Sequence, residues 1–187
     1  MKKIISVIET LPKWCGLCVI LVYSLLFAEF FSTVLHLFPY KEALSSIFTV
    51  MLSISYATNI LLGFILWLIY TLLFHLTALL FGGQATFKRF LFASAYPYLI
   101  SACAVFIGIL LLDGVPLLSL GQPEELLLQD PTFQLSVKLI NYSTIPCYLV
   151  IVILVRYIHQ ISYIYAILSV AGPVSAIWLI TELVKLI

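Results

Sequence analysis

Long apolar runs separated by short polar clusters dominate the chain. Five runs, 14–37, 57–81, 90–112, 139–155 and 161–183, are near the roughly 20 residues a helix needs to cross a hydrocarbon core of about 30 Å. They are continuously apolar and do not alternate with period two, so the pattern predicts helices and not the strands of a membrane barrel.

Between the first two runs, Leu44, Ile47, Phe48 and Met51 recur at i, i+3, i+4 and i+7, and polar Ser53, Ser55, Thr58 and Asn59 follow. This spacing predicts a helix over 42–55 that lies in the membrane interface, or is re-entrant, and leads into the second span. A sixth crossing is the alternative. Ile4, Val7, Ile8 and Leu11 form a similar stripe, which predicts a short surface helix ending at Pro12. In the loop 113–137, Pro123 followed by Glu124 and Glu125 resembles a helix start, with proline in the first turn and acids at the positive dipole end. Leu126–Leu128 would then dip into the interface, and Asp130-Pro131 would end the helix.

Composition fits this reading. Of 187 residues, 64% are hydrophobic and 9% charged, against about 45–50% and about 25% in soluble domains. A compact water-soluble fold would expose large apolar patches, whereas lipid tails solvate them. The expected fold class is therefore all-α: an integral membrane helical bundle of about five transmembrane helices plus short interfacial helices, forming one domain over 1–187. A net charge of +1 gives no sign of a nucleic-acid partner. Glu9 and Pro12 interrupt the start, and the run 14–37 is too long for a signal-peptide core, so it is expected to remain as a span.

Lysine and arginine accumulate in cytoplasmic loops. Five spans with an inward N-terminus put Lys2, Lys3, Lys13, Lys88, Arg89 and Arg156 inside and Lys41, Lys138 and Lys185 outside, six against three. The expected arrangement is a multi-pass protein of the cell membrane with a cytoplasmic N-terminus and an outer C-terminus.

One stretch, 75–99, carries His75-Leu76 at a span end, Gly82-Gly83, Thr86-Phe87, and then Ala95-Tyr96-Pro97 within the next span. It resembles the signature of the Yip domain family, membrane proteins first known as interactors of Rab-type GTPases. The resemblance implies a five-span, non-enzymatic membrane protein. Eukaryotic members carry a long cytosolic N-terminal region. Here about thirteen residues precede the first span, as in short prokaryotic members, so a Rab-type partner is not expected. Independently of the family, Gly82-Gly83 allows a reversal with positive φ that makes the second and third spans neighbours. Thr86 is placed to cap the third helix. Pro97 should bend that helix by removing one backbone hydrogen bond.

Polar groups within the spans are the remaining candidates. Glu29 lies well inside the first. A central charge costs about 2.5–3.5 kcal/mol of insertion free energy, and the Leu, Ile, Val and Phe residues of this span return roughly 4–8 kcal/mol, so it still inserts. Ser32, Thr33 and His36 share its helix face and form a stripe expected to face the bundle interior. That stripe is either an ion, proton or substrate path or an interhelical hydrogen-bond cluster. Asn59, Asn141 and Pro146 are further interior candidates, with Asn141 suited to bonding across helices. His75 reads as an interfacial histidine and His159 as a turn residue. Gly172 with Ala176, and Ala171 with Ser175, form small-residue pairs suited to close helix packing, beside a kink at Pro173.

Cys15 and Cys18 have thioredoxin-type spacing but enter a span without a soluble sheet around them, so a redox or metal role is not favoured. Cys103 and Cys147 read as packing residues, and no disulfide framework is implied. Metalloprotease, serine-hydrolase and phosphate-loop motifs are missing. Glu124-Glu125 is followed at 129 by Gln, not by the Arg of CAAX-type intramembrane proteases. The expectation is a protein without catalytic residues, metal or cofactor that binds lipid, other membrane proteins or a second copy of itself. A small transporter or channel component using the Glu29–His36 stripe is the alternative, and an accessory subunit of a transporter is a third.

Overall fold

The structure, a computed structural model, describes residues 11–37, 45–116 and 125–185. Among them every regular element is helical: α1 (Lys13–His36), α2 (Ser45–Leu80), α3 (Phe87–Ala93), α4 (Tyr98–Leu112), α5 (Glu125–Gln129), α6 (Pro131–His159) and α7 (Tyr163–Val184). Five stretches are long and apolar enough to cross a membrane: Lys13–His36, Thr49–Leu80, Phe87–Leu112, Pro131–His159 and Tyr163–Val184. Their outer surfaces are apolar. On α2, for example, Leu61, Ile65, Leu68, Leu72 and Leu76 recur at helical spacing and are all exposed, the side-chain pattern of a lipid-facing surface. The stripe expected over 4–11 lies outside the described residues, except Leu11, and so do 42–44 and Pro123.

Four expectations about elements need correction. The helix over 42–55 is not a separate interfacial piece. Residues 45–80 form one helix of 36 residues, about 54 Å long at 1.5 Å per residue. Its polar cluster does not break it, because these side chains bond back along the same helix. Ser53 Oγ donates to the Thr49 carbonyl (2.9 Å), Thr58 Oγ1 to the Ile54 carbonyl (2.8 Å), and Asn59 Nδ2 to Ser55 Oγ (3.4 Å).

The third span is interrupted at Pro97, not merely bent. Residues 94–97 form turns between α3 and α4, as expected when a proline can neither donate a helical bond nor accommodate the helical conformation in the residue before it.

Asp130 does more than end the loop helix. Its Oδ1 accepts from the backbone N–H groups of Thr132 and Phe133, both at 2.8 Å. This caps α6, with Pro131 in its first position. The fourth span therefore begins near 131, not 139. Of the leucines expected to dip into the interface, Leu126 and Leu128 are exposed, but Leu127 is buried in a core with Phe30, Leu37, Val105, Leu112 and Val115.

The small residues of α7 are exposed, and nothing lies within 4 Å of a Cβ built on Gly172. They meet no other helix among the described residues. Pro173 is buried within a helix that continues to Val184.

Packing divides the chain into two units interleaved in sequence. One comprises Met1–Val19, Ile65–Pro97 and Pro146–Ile187; the other comprises Ile20–Phe64 and Tyr98–Ile145. In the second unit α1 and α2 run antiparallel and approach closely at Ser24 and Gly63, where a Cβ on the glycine would sit 2.9 Å from that of Ser24. The leucine- and phenylalanine-rich core around Val105 belongs to this unit.

In the first unit α1 lies directly on the segment around α3. A Cβ on Gly16 would come within 2.8 Å of the Phe92 carbonyl oxygen and 3.4 Å of the Ala95 Cβ. A buried hydroxyl joins α2 to the break after α3. Ser94 Oγ donates to the Leu91 carbonyl (2.8 Å) and accepts from Trp67 Nε1 (3.2 Å). Its one proton is thereby used, so Thr71 Oγ1, 2.9 Å away, is the donor in that pair. On the other side of α2, the Thr77 hydroxyl lies 2.8 Å from the Ser169 carbonyl of α7, and the Phe81 ring stacks on Tyr165 at 5.0 Å.

Candidate functional site

The turn after α2 is held by a histidine from a distant part of the chain. Gly82 adopts φ +83°, the left-handed conformation that the sequence reserves for glycine there. Gly83 is needed for space, since a Cβ would lie 2.7 Å from His159 Nδ1 and 2.8 Å from the Ala78 carbonyl oxygen. The Gly83 N–H donates to the Ala78 carbonyl (2.9 Å), and the Gln84 N–H donates to the His159 carbonyl (3.3 Å).

His159 ends α6 and is fully buried. This corrects the reading of it as a residue of an exposed turn, and the chain reverses at the next residue, Gln160, with φ +58°. Its Nε2 lies 3.3 Å from His75 Nδ1. His75 is itself buried. Phe90 packs on both imidazoles, with ring centres 5.3 Å from His159 and 6.3 Å from His75, and Phe87 lies 5.3 Å from His75. His159 Nδ1 has no hydrogen-bond partner. His75 and Gly83 thus meet around His159, a residue that spacing could not identify, 84 positions after His75.

Thr86 occupies the N-cap position of α3 with extended backbone (φ −78°, ψ 144°), but its side chain makes no cap bond. The hydroxyl instead lines a cavity of about 450 Å³ together with Leu11, Lys13, Lys88, Arg89, Phe92, Ala93 and Tyr96. Positions 88, 89, 92, 93 and 96 share one helical face by spacing, and Gly16 allows α1 close enough to bring Lys13, one turn earlier, to the same cavity. Pro97 is buried behind it. At the same end of this unit, the Arg156 guanidinium sits 3.3 Å from the centre of the Tyr163 ring.

The Glu29 stripe belongs to the second unit, and two of its residues, Ser32 and His36, line an open groove. Glu29 and His36 are exposed, and Ser32 and Thr33 are half-buried. Ser32 and His36 face Thr49, Leu52, Ser53 and Tyr56 of α2 across a cavity of about 450 Å³. The Tyr56 hydroxyl lies near the Glu29 carboxylate. Thr33 Oγ1 bonds back to the Glu29 carbonyl (2.9 Å), so it contributes little to the groove. Sequence reasoning identified the α1 half of this groove but not Tyr56, whose helical pairing with Glu29 depends on the antiparallel register of α1 and α2.

Asn141 and Pro146 are exposed, and Asn59 is used within α2. Among the described residues the Asn141 side chain makes no bond to another helix. The four cysteines are free thiols, with Cys147 buried and Cys103 exposed. Among the described residues no three His, Cys, Asp or Glu side chains group to hold a metal.

Five long apolar helices with outward-facing leucines define a polytopic helical membrane protein. No protein-family model, curated protein or solved structure matches the chain.

Proposed function

We propose that this chain is a Yip-like membrane protein that acts without catalysis, as a scaffold or adaptor binding lipid or other membrane proteins. The observation that carries this reading is the build of the turn over 82–89. Buried His159 and Phe90, with half-buried Phe87, hold the segment that leads into α3, while Gln84, Thr86, Lys88 and Arg89 remain exposed on it. A rigid segment that presents polar and charged side chains suits binding, because little conformational freedom is lost when a partner docks.

The proposed orientation has the N-terminus and this turn in the cytoplasm. It is supported by the grouping of Lys13, Lys88, Arg89 and Arg156 at one end of the first unit, with Lys185 at the far end of α7. The test is purification from native membranes in a mild detergent. A stoichiometric partner, or a second copy, should accompany the wild type and be lost on Lys88→Glu. Recovery of a lone chain from both would refute the reading.

A second reading, a transporter or channel component, is favoured by the groove lined by Ser32, His36 and Tyr56, with Glu29 beside Tyr56. It requires ion or solute flux in proteoliposomes that Glu29→Gln abolishes. Equal flux with and without protein would dispose of it.

A further inference from the structure

We infer that the cavity between the start of α1 and α3 is a binding site for a phosphate-ester anion, supplied by the headgroup of an acidic phospholipid. The inference rests on the scaffold reading and names the lipid class that site would take.

The walls divide by chemistry. Lys13, Lys88 and Arg89 supply cationic donors, Thr86 and Tyr96 supply hydroxyls, and Leu11, Phe92 and Ala93 supply an apolar side. A phosphodiester needs the first two groups and the adjoining glycerol and first acyl carbons need the third. A soluble anion would have no use for the apolar wall. The volume, about 450 Å³, lies in the range of small-molecule sites, about 300–1,000 Å³.

Both lysines are exposed, and no carboxylate lines the cavity among the described residues. The cavity also lies where a lipid headgroup would be, at the beginning of one apolar span and of another, Lys13–His36 and Phe87–Leu112. Trp14, exposed beside Lys13, is of the type that settles at headgroup depth. Basic pockets between spans on the cytoplasmic side are the setting in which acidic lipids are recognised. The geometry also explains Gly16: any larger residue would hold α1 off the Phe92 carbonyl and carry Lys13 away from Lys88.

The test uses the full chain reconstituted in nanodiscs of phosphatidylglycerol and phosphatidylcholine, followed by native mass spectrometry of the lipids retained after release into detergent. Wild type should retain phosphatidylglycerol over phosphatidylcholine. The Lys13→Gln/Lys88→Gln double variant should lose that preference by roughly tenfold or more. A charge-matched control, Lys138→Gln/Lys185→Gln, should keep it. All these positions are exposed, and an unchanged unfolding temperature in pure phosphatidylcholine verifies the fold of each variant.

No preference in the wild type, or equal loss in both double variants, would overturn the site. Displacement of the retained lipid by millimolar inorganic phosphate would assign the cavity to a soluble phosphate and overturn the lipid assignment. Lipid preference without any protein partner would leave this site standing while the adaptor reading falls. A partner retained without lipid preference would do the reverse.

Discussion

At the scale of single residues, three glycines do different work for different physical reasons. Gly82 is required by its backbone, at φ +83°, whereas Gly16 and Gly83 are required by what lies opposite them. Gly83→Ala would push a methyl group into the His159 ring and the Ala78 carbonyl. Neither can retreat, because the ring is buried between Phe90 and His75 and the carbonyl belongs to α2. The expected cost is about 1–3 kcal/mol, read as a lower unfolding temperature in detergent, while Gly172→Ala, in open space, should leave that temperature unchanged. Equal behaviour of the two variants would contradict the packing described here. Ser94 shows how completely one side chain can be used. It donates once and accepts twice in a region where water cannot substitute for a missing partner.

At the scale of elements, polar residues within spans fall into two groups that look alike in sequence. Ser53, Thr58 and Asn59 bond within α2 and let the helix run on. Trp67, Thr71, Thr77 and Ser94 bond across elements and fix which helices touch. Composition and spacing do not separate the groups, because both carry hydroxyls at similar intervals along apolar helices. Helix ends were more legible. Asp130-Pro131 and Pro97 mark real boundaries, since a proline acts through its own missing N–H whatever surrounds it. The strength of each boundary was not legible: Pro97 breaks its span, while Pro146 and Pro173 leave α6 and α7 continuous.

At the scale of the whole molecule, orientation is the property that charge distribution speaks to most directly. The proposed orientation, an inward N-terminus with five spans, would put the end of α7 outside the cell membrane. A reporter fused after Ile187 that is active only in the cytoplasm should be silent, and one active only outside should give signal. The opposite pattern would reverse the proposed face of the basic cavity as well.

The sequence by itself determined the solvent of this protein, the helical class, five spans and the Gly82 reversal. Each of these follows from local properties: run length, apolar content or backbone freedom. The tertiary structure alone decided that His159 is buried against His75 and Gly83, that Tyr56 meets Glu29, and that Lys13 joins Lys88 and Arg89 around one cavity. Those outcomes depend on side chains brought together from distant positions by helix packing, and in an apolar chain many packings present the same periodicity.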